Sequence, residues 1–318
     1  MTEKVLVTRE IPEAGLRVLE GFDLSVLSES PPEREELLEA VGGVAGILAT
    51  LTEKIDAEAM DAAGGGLKVV ANMAVGYDNV DLEAASERGV IVTNTPEVLN
   101  ETTADTAFML MLAAARRLGE AERLVRSGGW DAWGPKQLTG PDVWGKTLGV
   151  VGFGRIGQAL ARRARGFDMD LVYHDQYRNG DKERELGARY LDLEELLQTA
   201  DFISVHTPLT PKTTHLIGAE ELRRMKPEAV LVNTSRGPVV DEAALAEALA
   251  DRRIFAAGLD VYENEPEVNP KLLELENVIL APHIGSASNE TRDKMAILAA
   301  ENVLAVLSGE GPKTPVSE

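Results

Sequence analysis

The chain has 318 residues, long for one domain and natural for two. Its formal charge of −21, from 53 acidic against 32 basic side chains, argues against a nucleic-acid partner, because phosphate contacts need clustered Lys and Arg. It has no cysteine, which excludes disulfides, thiolate metal sites and a cysteine nucleophile, and no apolar run near the roughly 20 residues of a membrane span.

Residues Met1 to Arg9 carry acidic side chains and read as a strand, not a targeting segment, so the cytoplasm is the expected location. Short β-branched runs then alternate with helical stretches, the pattern of parallel sheets covered by helices. Four strands are expected early, at Lys4–Thr8, Val44–Ala49, Leu67–Asn72 and Val90–Thr93, with helices such as Pro32–Val41 and Asp81–Arg88 between them. One long helix is expected from Glu101 to about Ser127, ended by Gly128 and Gly129, followed by a Trp/Gly/Pro-rich loop to Gly145. Six more strands are expected at Thr147–Gly152, Asp170–Asp175, Phe202–His206, Ala229–Thr234, Ala256–Val261 and Val278–Ala281. Six complete a dinucleotide-binding sheet, and four suffice for a smaller flavodoxin-like unit. The last helix, about Ser288–Ser308, is surplus to the six-stranded unit and should return to the first. The expected domains are therefore 1–98 with 288–318, and 99–287, both doubly wound α/β, with the ligand crevice between them.

The segment Gly152-Phe153-Gly154-Arg155-Ile156-Gly157 fits G-x-G-x-x-G between an apolar strand and a helix. There Gly152 permits the tight turn, Gly154 lets backbone approach a pyrophosphate, Gly157 allows close helix–strand packing, and the helix N-terminus faces the phosphates. Asp175 ends the next strand 18 residues later, where a carboxylate binds ribose hydroxyls and repels a 2′-phosphate. That favours NAD(H) over NADP(H), with Arg178 nearby as the counter-argument. Arg162, Arg163 and Arg165 read as a solvated helix face.

A dinucleotide that passes hydride to a carbonyl needs an acid for the developing alkoxide, a group that keeps that acid charged and oriented, and a cation where the substrate carries a carboxylate. Of four histidines, His174 reads as packing and His215 as surface, while His206 ends a strand and is open between cofactor lining and structure. His283, in Ala281-Pro282-His283-Ile284-Gly285-Ser286, follows the last strand, where open α/β sheets place their ligands, and is the expected acid. Arg236, in Asn233-Thr234-Ser235-Arg236-Gly237, follows an apolar strand and can fork onto a carboxylate. The partner of the imidazole lies in Asp260-Val261-Tyr262-Glu263-Asn264-Glu265-Pro266, but spacing does not choose among Asp260, Glu263 and Glu265.

Together these motifs resemble the D-isomer-specific 2-hydroxyacid dehydrogenase family, in order along the whole chain. The resemblance implies Arg236, Glu265 and His283 as the catalytic set, which selects Glu265 by analogy. It also implies substrate contacts from the Val75 and Gly76 backbone, and cofactor contacts from Thr103, Thr207, Pro208, Thr234 and Asp260, with His206, Ser235 and Gly285 counted beside them. Within the family the segments Trp130–Pro135 and Gly140–Gly149 look most like glyoxylate/hydroxypyruvate reductases. This implies a homodimer in which Trp133 shapes the partner's pocket. The expected reaction is reversible reduction of a small 2-oxo acid to its D-2-hydroxy acid, with no bound metal. Other 2-hydroxy acids such as D-lactate, an inorganic oxyacid such as phosphite, and a non-catalytic NAD-sensing corepressor are the alternatives.

Overall fold

The computed structural model describes residues 2–316, so Met1, Ser317 and Glu318, at the edges of the expected N-terminal strand and first domain, lie outside the described residues. The chain divides into two units, Met1–Leu99 with Ala287–Glu318, and Asn100–Ser286. The first contains β1 (Lys4–Val7), α1 (Glu13–Val18), β2 (Asp23–Val26), α2 (Arg34–Ala40), β3 (Gly46–Ala49), α3 (Ala57–Ala63), β4 (Val69–Asn72), α4 (Leu82–Glu87) and β5 (Ile91–Thr93). All five strands are parallel in the order β2-β1-β3-β4-β5, the flavodoxin-like order. The expectation of four strands is corrected to five. β2 is an edge strand whose Asp23, Ser25 and Val26 are exposed, so it carries no apolar alternation to read.

The second unit contains α5 (Asn100–Ala115), α6 (Leu118–Arg126), β6 (Thr147–Val151), α7 (Arg155–Ala164), β7 (Asp170–His174), α8 (Gly180–Leu186), β8 (Ala188–Tyr190), α9 (Leu193–Thr199), β9 (Phe202–Val205), α10 (Ala219–Arg224), β10 (Val230–Asn233), α11 (Glu242–Ala250), β11 (Ala256–Leu259), α12 (Pro270–Glu274) and β12 (Val278–Leu280). Its parallel sheet runs β12-β11-β10-β9-β6-β7-β8, seven strands where six were expected. The addition is three-residue β8 at the edge beyond β7. The single long helix is also corrected: it breaks at Arg117, which takes φ 51° and forks onto Glu120 at 2.9 and 2.6 Å. The left-handed residue ends one helix and its side chain steadies the first turn of the next.

Burial on both faces explains the continuous apolar strands. In β6, Val150 packs among Leu148, Phe202 and Val232 on one face of the sheet, while Val151 joins Ile203, Leu231 and Ala257 on the other. The chain ends in α13 (Asn289–Leu307), which covers β3 and β4 of the first unit. Gly15 of α1 makes that packing possible, since a Cβ there would lie 2.8 Å from the Ala296 backbone. Beyond α13, Val316 N–H donates to Val92 O at 2.9 Å, laying the tail along edge strand β5. Among the described residues no helix is long and apolar enough to cross a membrane.

Candidate active site

The turn after β6 is built as its glycines require. Gly152 sits at φ 95°, and a Cβ there would lie 2.7 Å from the His206 carbonyl carbon. At Gly157 a Cβ would fall 2.3 Å from Gly152 O, so α7 packs against the turn only without a side chain. Gly154 differs: nothing lies within 4 Å of its Cβ position, and it caps α7 without any side-chain bond. The first turn of α7 therefore begins beside open space at Gly154, and no side chain among the described residues caps it. Arg155 opens the helix and Ile156 is half-buried beside it. Phe153 is buried and stacked on Tyr173, with ring centroids 4.1 Å apart, so only its main chain faces the turn.

Asp175 follows β7 and accepts Phe153 N–H at 2.6 Å and Tyr177 N–H at 3.2 Å. Arg178, the residue that could have welcomed a 2′-phosphate, forks instead onto Glu183 at 2.7 and 2.9 Å. That fork, with the Tyr173 hydroxyl, holds Glu183 down at about 2. Farther along the sheet, the Thr207 and Thr234 hydroxyls follow β9 and β10, buried and without a hydrogen-bond partner among the described residues. Open space over Gly154, the Asp175 carboxylate after β7 and two orphaned hydroxyls fit a dinucleotide laid along the strand ends. Pro208 belongs to the same edge, and its carbonyl accepts the Thr213 hydroxyl at 2.7 Å. His206 bonds Ser204 Oγ through Nε2 at 2.8 Å, and burial pushes it down to about 4, leaving a neutral ring at pH 7.

Three consecutive strands, β10, β11 and β12, end in the segments that carry Arg236, Glu265 and His283. His283 Nδ1 meets Glu265 Oε2 at 2.8 Å, with the side chains 25% and 29% exposed, so the pair remains accessible to a solute. Burial alone would raise the Glu265 pKa, but the bond and charge of His283, the Tyr262 N–H at 3.0 Å and the Arg236 guanidinium lower it overall. The other two carboxylates are committed elsewhere. Asp260 is buried and accepts Ile284 N–H and Gly285 N–H, each at 2.7 Å. Glu263 Oε1 meets His215 Nε2 at 2.7 Å. Asp260 thus holds the turn in which His283 takes φ 55°, a left-handed conformation costly for a residue with a Cβ.

The two loops that bear Arg236 and Glu265 touch. A Cβ at Gly237 would lie 1.9 Å from both the carbonyl carbon and oxygen of Tyr262. Asn233 shapes the Arg236 turn by donating to Arg236 O at 2.9 Å and accepting from Ser235 N and Oγ at 3.0 and 2.8 Å. The Ser235 hydroxyl is therefore occupied within its own turn. Arg236 Nη1 in turn donates to Ser235 O at 2.9 Å. Gly285 seats between Asp260 and Thr103: a Cβ there would be 3.1 Å from Asp260 Oδ2 and 3.5 Å from the Thr103 methyl.

In the first unit the loop after β4 has the carbonyls of Ala74, Val75 and Gly76 engaged. Ala74 O accepts Thr95 N–H, Val75 O accepts Asn94 Nδ2, and Gly76 O accepts Asn72 Nδ2, each at 2.8 Å. The N–H groups of Val75 and Gly76 have no hydrogen-bond partner among the described residues. Adjacent unpaired N–H groups with tethered carbonyls favour an anion.

Sequence reasoning missed Asn72, Asn94, Asn233 and Tyr262, which hold these loops. The three asparagines share a signal, a polar side chain at or next to the end of an apolar strand, whereas Tyr262 lies three residues beyond β11. Tyr262 is buried, bonds Ala281 O at 2.9 Å, and is pushed up to about 12 by that burial and by Asp260. Trp133 is not drawn into any of these clusters and stands 78% exposed. Arg162 and Arg163 are more than a solvated face, since they pair with Glu101, and Arg163 also with Asp105 at 2.6 Å, tying α7 to α5.

Comparison with known proteins identifies the family. Residues 108–285 match the family profile described as D-isomer specific 2-hydroxyacid dehydrogenase, NAD binding domain. A glyoxylate reductase of Korarchaeum cryptofilum is 53% identical over 322 residues, covering 100% of this chain and 97% of that protein. A crystal structure of a protein from Thermus thermophilus superposes with a TM-score of 0.93 at 49% identity, covering 99% of this chain and 100% of that one. An NADPH-dependent glyoxylate/hydroxypyruvate reductase of Sinorhizobium meliloti, solved with NADP and malonate, gives 0.85 at 37% identity over 100% and 97%. The chain belongs to the D-isomer specific 2-hydroxyacid dehydrogenase family and is an oxidoreductase.

Proposed function

We propose that the enzyme reduces glyoxylate or hydroxypyruvate to the corresponding D-2-hydroxy acid, reversibly, and prefers NAD(H). The observation that carries the mechanism is the 2.8 Å pair of Glu265 and His283 with the Arg236 loop packed beside it. Gly152, Gly154, the first turn of α7, Asp175, Thr207 and Thr234 would hold the dinucleotide, whose nicotinamide supplies or accepts a hydride. Arg236 grips the substrate carboxylate and polarises the neighbouring carbonyl. Within the first unit, the N–H groups of Val75 and Gly76 are the candidates for binding a carboxylate. Glu265 keeps the His283 imidazolium charged and oriented through Nδ1, so that Nε2 presents the proton to the developing alkoxide. His206, neutral at pH 7, is a poor candidate for that acid.

The Arg178–Glu183 fork and the Asp175 carboxylate both disfavour a 2′-phosphate, which supports NADH. The relatives named glyoxylate reductase support the substrate, and the family resemblance supports a homodimer; the same proposal places the enzyme in the cytoplasm. Exposed Met109, Leu118, Val125, Trp130 and Trp133 would supply the apolar dimer face, including the Trp133 contribution to the partner's pocket. Initial rates with glyoxylate, hydroxypyruvate and pyruvate, each with NADH and NADPH, test the reading. Glyoxylate or hydroxypyruvate with NADH should give the highest kcat/KM. His283→Gln should lower kcat by about 10²–10⁴-fold and leave NADH affinity near wild type. Absence of turnover with both acids, or a fully active His283→Gln enzyme, would sink it.

A further inference from the structure

One buried carboxylate is not used by that mechanism. Glu242 opens α11, and its Oε2 accepts Glu263 N–H at 2.8 Å while its Oε1 accepts Asn269 N–H at 2.7 Å. These residues are the two ends of the segment Glu263-Asn264-Glu265-Pro266-Glu267-Val268-Asn269. One side chain therefore fastens both ends of the loop that carries Glu265. The closure is reciprocal at the first end, where Glu242 N–H donates to Glu263 Oε1 at 3.2 Å. His215 Nε2 adds a contact to the same oxygen at 2.7 Å. Within the loop, Glu267 N–H bonds Asn264 O at 2.9 Å, so Glu265 stands on a turn whose base Glu242 closes.

We propose that Glu242 is a positioning residue for the reaction, closing the loop 263–269 so that the Glu265 carboxylate stays within hydrogen-bond reach of His283. The inference rests on the roles assigned to Glu265 and His283 above. A hydrogen bond does not survive a lengthening of about 1 Å, and misplacement of that size can cost about 10²-fold in rate. Among the described residues the charged groups acting on the pair include Asp260, which attracts the His283 ring and repels the Glu265 carboxylate, and Arg236, which attracts that carboxylate. Neither can replace a carboxylate bonded to Nδ1. Loosening the loop should therefore reproduce in milder form the loss of Glu265 itself.

The test compares Glu242→Gln and Glu265→Gln with wild type in NADH-dependent glyoxylate reduction across pH. In Glu242→Gln an amide N–H replaces one acceptor at nearly constant volume. Its kcat should fall about tenfold, with its alkaline limb moved to lower pH in the direction of Glu265→Gln and the KM for NADH within about twofold. Glu242→Asp, which keeps the charge, should recover part of the rate and serves as the measured variant if Glu242→Gln does not fold. An unmoved limb in the Glu242 variants, beside a moved limb in Glu265→Gln, overturns the proposal alone. An unmoved limb in Glu265→Gln overturns it together with the catalytic reading. Loss of NADH binding in proportion to kcat marks Glu242 as merely structural and also overturns it.

Discussion

Gly237 sets the spacing of the two loops that carry Arg236 and Glu265. The atoms a Cβ would meet there are Tyr262 C and O at 1.9 Å and Glu263 N at 2.5 Å, all backbone, so no rotamer change can make room. Gly237→Ala must push the loops apart, and it should lower kcat by about 10²-fold or more while costing about 1–3 kcal/mol of stability. Steady-state kinetics alongside urea denaturation would check this, and an active variant would show the two loops need not touch. At this scale the sequence was partly legible. Arg236 and His283 stood out because a cation and an imidazole each followed an apolar strand. The carboxylate partner did not, because Asp260, Glu263 and Glu265 lie within six residues of one another and differ only in what they bond. Asp260 takes two N–H groups of the His283 turn, Glu263 takes His215, and Glu265 takes the His283 ring.

Elements were legible where burial wrote a pattern, and illegible where backbone pairing alone makes the strand. The strands β3, β4, β9, β10 and β11 are buried at every position, whereas edge strands β2 and β8 are partly exposed. The break between α5 and α6 was hidden for a different reason, since it uses an arginine where glycine is the usual signal. Helix starts are clearer, because Asp56, Asp81, Asp241 and Ser288 each accept an N–H of the helix they precede. Asp56 also meets Arg34 at 2.5 Å, joining α2 to α3. Burial by itself would raise its pKa, but the Arg34 bond, the Ala59 N–H and Lys54 bring it down to about 2. Because the folded value lies below the unfolded one, its stabilisation is present above about pH 4 and is lost as pH falls through about 2. Asn caps a helix about as well as Asp, so Asp56→Asn should cost about 1 kcal/mol or less at pH 7, through loss of the ion pair with Arg34. That difference from wild type should vanish by about pH 2, as read from urea midpoints along the pH series. A gap that stays constant down to pH 2 would mean the carboxylate charge is not its cause.

For the whole molecule, the division of labour follows from which unit owns which groups. Every residue proposed to hold the dinucleotide, from Gly152 to Thr234, belongs to Asn100–Ser286, and the first unit contributes none of them. The sequence made this visible because the glycine turn lies between a strand and a helix, and the strands after it already complete a nucleotide sheet. A ligand that binds the folded unit and not the unfolded chain stabilises it by an amount set only by its concentration over its Kd, about 2.7 kcal/mol at a hundredfold excess. NADH should accordingly raise the melting temperature of the second unit in scanning calorimetry, and NADPH at equal concentration should raise it less. Asp175→Ala should narrow that difference, because it removes the carboxylate that accepts ribose hydroxyls and repels a 2′-phosphate. Equal shifts with both nucleotides in the wild type would refute the assignment of Asp175 to the ribose. A shift that survives in Asp175→Ala with its NADH preference intact would move that selectivity to another residue.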